Sequence, residues 1–351
     1  MPRTLITSAR LIDPSQQLDR VTNLLIEDGR IAAYDVAPSG DCEVIDATGL
    51  IAAPGLIDMQ VHLREPGREE DETIASGTAA AAAGGFTAIA CLPSTEPPID
   101  TQATVEFIQH QAALAGHCRV HVIGCISKNR DGKELAELGQ LVAAGVVAFS
   151  DGEEPVFNPE LMRRAFEYAL MFDRPIINHA ATLERNSPGV MHEGMVSLVL
   201  GLSPMPAAAE DVMTSRDIAL AEATGGRLHI AQVSTAGGVE IIRRGKKRNV
   251  RVTAAVSPHH LALTDEVLRS FDPNFKTNPP LRGQRDVESC IAGLVDGTID
   301  VIASNHTPLA QEKKMQDLDL APFGVVGLET ALGIVITKLI EPGHLTWSQA
   351  I

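Results

Sequence analysis

Apolar positions along the chain fall into two textures. Over residues 1–52 they form short runs and alternations, Thr4–Ala9, Asn23–Glu27 and Arg30–Val36, with the pair Asp28-Gly29 between the last two. Alternation at a period of two buries one face of a strand, and Asp-Gly tolerates the positive φ of a two-residue hairpin turn. The pattern predicts a small β unit over residues 1–52. From about residue 51, strand-length apolar runs alternate with helix-spaced segments. Eight such runs occur: Ile51–His62 (in part), Phe86–Leu92, Arg119–Cys125, Val146–Ser150, Pro175–His179, Arg227–Ser234, Val250–Ser257 and Ile299–Asn305. Between them Lys133–Ala144, Pro159–Met171, Ala207–Ala223 and Val239–Arg244 carry apolar residues at helical spacing. The Ala-rich run Thr78–Ala83 stops at Gly84-Gly85, and Glu69–Glu72 predicts an acidic helix start. Eight β/α repeats predict an α/β fold, a (β/α)8 TIM barrel over residues 53–351, with a doubly wound sheet as the other arrangement.

The ends of these predicted strands carry the chemistry. In turn come Asp58-x-Gln60-x-His62, Pro93-Ser94, Cys125, Asp151, His179, Gln232, Ser257-Pro258-His259 and Asn305-His306. A barrel of this type builds its site at the C-terminal ends of its strands, so polar side chains gathered there mark the candidate site. Composition narrows the partners. A formal net charge of -16 disfavours nucleic acid and anionic membrane surfaces. The five cysteines form no C-x-x-C pair, which excludes a zinc ribbon and gives no disulfide framework. The first ten residues lack an apolar core of signal-peptide length, and no apolar stretch reaches the roughly 20 residues of a spanning helix, so a cytoplasmic location is expected. Trp347–Ile351 reads as the first turn of a helix, as if the chain were cut short.

The segment Gly55-Leu-Ile-Asp-Met-Gln-Val-His-Leu-Arg-Glu-Pro-Gly67 resembles the opening signature of the dihydroorotase family of the amidohydrolase superfamily. The resemblance continues through Ala83-Gly-Gly-Phe-Thr87, Val190-Met-His-Glu-Gly194, Gln232-Val-Ser-Thr235, Ser257-Pro-His-His-Leu261, Asn278-Pro-Pro-Leu-Arg282 and Ala321-Pro-Phe-Gly-Val-Val-Gly-Leu-Glu-Thr330. It implies a metal-dependent barrel that closes carbamoyl-aspartate to dihydroorotate. It also implies a small β-sandwich from both chain ends, whose C-terminal half is missing from this sequence. The family's strand 1 supplies Asp-x-His-x-His, where this chain has Asp58-Met-Gln60-Val-His62. Gln232 stands where the family has a His, and Asn305-His306-Thr307-Pro308-Leu309 replaces Asp-His-Ala-Pro-His. Leu92-Pro-Ser-Thr95 replaces Met-Pro-Asn-Thr, and Ser150-Asp-Gly-Glu153 replaces Ser-Asp-Asp-Gly.

Zinc prefers imidazole and carboxylate to a neutral amide oxygen, and Asn cannot take and return a proton. By the resemblance, Gln60, Gln232 and Asn305 are therefore degenerate catalytic positions. His62, Asp151 and His179, with Asp58 beside them, remain as residual metal candidates, and Arg64 and Asn278 as substrate-binding remnants. The expectation is no bound metal, or zinc if the chain is active. The expected function is a catalytically inactive dihydroorotase-like pseudoenzyme. By further resemblance to inactive chains of this family, it would support the catalytic chain of aspartate transcarbamoylase in an oligomeric assembly. Two readings compete. One is an active dihydroorotase, or a hydrolase of another cyclic amide such as a hydantoin, with an atypical metal site. The other is a sensor that binds an acidic pyrimidine precursor through Arg64 and Asn278. Among the remaining residues, His259, His260 and His306 are expected in loop packing, Arg64-Glu65 as an ion pair, and Gly324, Gly327 and Glu329 in a loop over the pocket or a helix cap.

Overall fold

A computed structural model describes residues 3–37, 42–181 and 189–351. The chain forms two compact units. One takes in the chain up to Leu56 together with Leu339–Ile351, and the other is Ile57–Lys338.

The first unit is a sheet built on Arg3–Asp13, which pairs antiparallel with Leu18–Glu27; that strand pairs in turn with Arg30–Tyr34. The Asp28-Gly29 hairpin forms at the expected place, with φ of 52° and 73° and Glu27 opposite Arg30. Glu43–Asp46 and Ile51–Ala52 add parallel pairings to the first strand. Ala9, Leu11, Leu24 and Ala47 make its buried cluster. The closing helix, Trp347–Ala350, starts on a Thr346/Gln349 capping box and packs on the first strand.

The second unit is the barrel. Its eight strands are Leu56–Val61, Phe86–Cys91, Arg119–Gly124, Ala148–Phe149, Ile176–Asn178, Leu228–Ile230, Val252–Val256 and Val301–Ile302. They neighbour one another in chain order, which excludes the doubly wound arrangement. Closure comes from a parallel bridge between Val61 and His306, with the His62 N–H donating to the His306 carbonyl at 2.9 Å. Leu92, Ile123, Ala148, Ile177 and Ala231 fill the interior.

Two helix expectations need correction. Only Leu138–Ala143 of the expected Lys133–Ala144 is helical. Ser127 bridges Leu135 and the Lys128 N–H donates to the Glu134 carbonyl, so residues 128–135 are held as a loop. Likewise Glu69–Glu72 precedes its helix, which runs Ile74–Ala83 from a Thr73/Ser76 capping box. The acids serve longer-range contacts instead. Asp71 pairs with Arg68 and Lys313, and Glu72 lies 3.2 Å from His306 Nε2.

Candidate functional site

The strand ends converge on a cavity of about 250 Å³, lined among others by Arg64, Arg68, Glu153, Asn278, Asn305 and Leu309, with Pro322–Val325 on one side. Gly324 has φ 145°, and a Cβ there would lie 2.6 Å from the Thr307 carbonyl oxygen. Only glycine permits this close approach of the 322–325 segment to the end of the eighth strand.

Within the first strand, Asp58 is fully buried and both its oxygens are committed. They accept the Gln60 N–H at 2.9 Å and the Ser304 N–H at 3.0 Å. Burial raises its pKa against those hydrogen bonds. The placement makes Asp58 a clamp between strands one and eight rather than a metal candidate. His62, four residues past that clamp, is 1 % exposed and hydrogen-bonded at Nδ1 but not at Nε2. Nδ1 is 2.5 Å from Ser94 Oγ, and Nε2 is 3.2 Å from Glu153 Oε1. Burial takes the His62 pKa down to about 3, outweighing the Glu153 carboxylate, so the imidazole is neutral at pH 7.

Arg64 sits in the left-handed region at φ 60°, a sparsely populated conformation for a non-glycine residue. Its guanidinium is buried; Nε reaches only the Pro308 carbonyl at 3.4 Å, and Nη1 has no hydrogen-bond partner. The expected ion pair with Glu65 does not form. Glu65 instead accepts the Ile74 N–H at 2.7 Å, capping the following helix.

Asp151 follows the fourth strand, and its carboxylate is consumed by the neighbouring loop. It accepts the Ile126 N–H at 2.9 Å, the Ser127 N–H at 3.0 Å and the Ser127 hydroxyl. Burial nevertheless raises its pKa to about 6. Arg130 donates to the Asp151 carbonyl at 2.8 Å, and its Nη2 lies 3.9 Å from Glu153 Oε2. Burial opposes ionisation of Glu153, but His62, Arg64 and Arg130 outweigh it and hold the carboxylate at about 2.

His179 follows the fifth strand with Nε2 unpartnered, and burial lowers its pKa despite Glu153 and Asn278 nearby. Gln232 is buried with Oε1 unpartnered, and Gln60 is buried on the first strand. Asn305, at φ 53°, donates to the Asn278 carbonyl at 3.5 Å. The structure thus brings His62, Arg64, His179, Asn278 and Asn305 to one rim, and ties Asp58 and Asp151 into the scaffold. Glu153 and Arg130 are the members that reading by strand ends passed over. They lie on loops, where spacing carries no register, although the Glu153 replacement was visible in the Ser150–Glu153 motif.

Zinc needs about four donors in tetrahedral array. Among the described residues no three His, Cys, Asp or Glu side chains converge to hold a metal ion. The residues present do not fit the zinc site that the resemblance implies.

Two other motif stretches prove to be scaffold. Glu210, missed in the sequence, accepts from Ser234 N at 2.8 Å and from the Ser234 hydroxyl, while Arg282 donates to Ser234 Oγ at 2.9 Å and to the Met205 carbonyl at 3.0 Å. His260 Nδ1 meets Ser257 Oγ at 2.6 Å, and its Nε2 approaches the Pro279 carbonyl at 3.2 Å, which places it in loop packing. His306 accepts the Gly327 N–H at Nδ1, so its Nε2 carries the proton toward Glu72.

Comparison with known proteins corrects the functional expectation. The dihydro-orotase-like family model matches residues 49–237. A dihydroorotase of Pelotomaculum thermopropionicum is 51% identical over 350 residues, covering 99% of this chain and 82% of that protein. A dihydroorotase of Endomicrobium trichonymphae is 47% identical over the same shares. Among solved structures, the L-hydantoinase (dihydropyrimidinase) from Arthrobacter aurescens superposes with a TM-score of 0.85 at 23% identity, over all of this chain and 80% of that one, and confirms the barrel fold. The expectation of a catalytically inactive pseudoenzyme is overturned by these relatives. Physically, the changes at Gln60, Gln232 and Asn305 altered donors without closing the pocket or removing Arg64 and Asn278 from it. On the family match and on identity across almost its whole length, the chain belongs to the dihydroorotase-like family.

Proposed function

We propose that the protein is a cyclic amide hydrolase of the dihydroorotase type, acting on a small ring that carries a carboxylate. The observation that carries this reading is Arg64, a buried guanidinium with an unpartnered Nη1 lining the cavity beside Asn278. A buried cation left short of partners is costly, and a carboxylate that fills the gap recovers charge-assisted hydrogen bonds. The relatives' names supply the candidate ring, dihydroorotate. In this reading Arg64 anchors the carboxylate and Asn278 orients the ring amide. Pro322, Phe323 and Val325 shield the bound ring from water. No step is assigned to a metal, because the donor set does not fit one.

The experiment is ring opening of dihydroorotate to carbamoyl-aspartate by the purified protein, with binding measured in parallel by titration calorimetry. A 5-substituted hydantoin serves as the alternative cyclic amide. Turnover of dihydroorotate that falls on Arg64→Ala is the expected result. Neither turnover nor saturable binding of either ring would overturn the reading, and turnover of the hydantoin alone would move the substrate class.

A further inference from the structure

Three features of the pocket point one way. First, each acid near the strand ends is already engaged. Asp58 and Asp151 give their oxygens to backbone N–H groups and a hydroxyl, and the Glu153 carboxylate faces His62 Nε2 at 3.2 Å. Second, His62 Nδ1 is held by Ser94 Oγ, while its Nε2 lies 3.2 Å from the Glu153 carboxylate without a hydrogen bond. This leaves His62 Nε2, His179 Nε2 and the neutral Gln232 Oε1 without hydrogen-bond partners there. Two imidazoles and one amide, with the nearby carboxylates engaged elsewhere, fall short of the donor set a zinc ion needs. Third, positive charge is supplied by the chain itself. Arg64 lines the cavity, and Arg130 lies 3.9 Å from the outer oxygen of Glu153.

We propose that a cluster of the chain's own groups, Arg64 and Arg130 around Glu153 and His62, takes the place of a divalent metal, so that the protein folds and binds its anionic ligand without zinc. Two guanidinium groups and one carboxylate leave a net positive centre that a ligand carboxylate can neutralise. A neutral imidazole anchored at Nδ1 by Ser94 completes a preorganised wall. The inference shares its pocket with the proposed activity but concerns what supplies the charge there, and it stands or falls on metal content rather than on turnover.

The test is elemental analysis of untagged protein purified from zinc-supplemented culture, with melting temperature and dihydroorotate affinity measured before and after dialysis against a chelator, then with zinc chloride restored. The expected result is below roughly 0.1 zinc per chain, with the melting temperature unmoved and affinity changed less than about twofold by either treatment, because a ligand that does not bind the native state cannot shift its stability. About one or more tightly held zinc ions per chain, with melting lowered by the chelator and recovered with zinc, would overturn it. Restoring donors through Gln60→His, Gln232→His and Asn305→Asp together with Glu153→Ala is expected to raise zinc content to about one per chain or more. Metal-free protein that binds dihydroorotate but does not open it would sink the proposed activity and leave this inference standing.

Discussion

Two buried polar clusters sit at the same rim of the barrel and differ in one respect. Around Arg282 every group is answered: Glu210, Ser234, Thr235, the Met205 carbonyl and the guanidinium close on one another. Around His62 the account is left open, with Arg64 Nη1, His179 Nε2 and Gln232 Oε1 buried and unpartnered. Buried polar groups in native proteins are nearly always satisfied. A saturated network therefore holds the fold, and an unsaturated one facing a cavity waits for a ligand. The motif containing Arg282 and the motif containing Arg64 look equally chemical as sequence, yet they do opposite work.

The sharpest way to break this comparison is Glu210→Ala. It strands Arg282 in the interior and is expected to cost about 3–5 kcal/mol in urea unfolding. A loss under about 1 kcal/mol would mean that the cluster is not structural. Arg64→Ala is the counterpart. It should weaken dihydroorotate binding roughly 10–100-fold, the value of lost charged hydrogen bonds, while leaving stability unchanged or higher. Destabilisation comparable with that of Glu210→Ala would erase the distinction.

A reference outside both clusters is His229, buried on the sixth strand against Thr253 Oγ1 at 2.8 Å, with its pKa lowered by burial to about 4. The unfolded chain, where histidine titrates near about 6.5, takes up the proton first, so acid favours unfolding. This stabilising contribution is present above pH 6.5 and is lost as pH falls toward 4. Between pH 7.5 and 5, His229→Asn should therefore lose about 2 kcal/mol less stability than the natural chain. An unaltered pH profile would count against a neutral buried imidazole there. The smallest effect is expected at Ser94→Ala, about 1 kcal/mol for one buried hydrogen bond to His62. If affinity for dihydroorotate fell more than stability did, Ser94 would belong to the binding wall rather than to its support.

Much of this architecture was legible in the chain. The eight apolar runs became the eight barrel strands, and Asp28-Gly29 became the hairpin turn. His62, Arg64, His179, Asn278 and Asn305 were singled out as strand-end or motif residues and do meet at one rim. The inactive-chain expectation failed because it counted ligand types one by one, whereas the relatives keep the name dihydroorotase at half identity over nearly the whole chain. The helix expected over Lys133–Ala144 failed for a tertiary reason. Asp151 captures Ser127 and a bridge to Leu135 holds the intervening residues, contacts that helical spacing does not encode.

Periodicity fixes which faces are buried, because a strand or helix must hide its apolar side wherever it lies. The sequence by itself thus determined the order of elements, the barrel and the end of it that carries chemistry. It could not determine whether a polar side chain there is already spent. That Asp58 and Asp151 are consumed by backbone N–H groups, that Glu153 reaches His62 from a loop, and that Arg64 is left with a vacant donor depend on residues far apart in the chain. Hydrogen bonding is short-ranged and directional, so only the closed barrel decides which donors meet which acceptors.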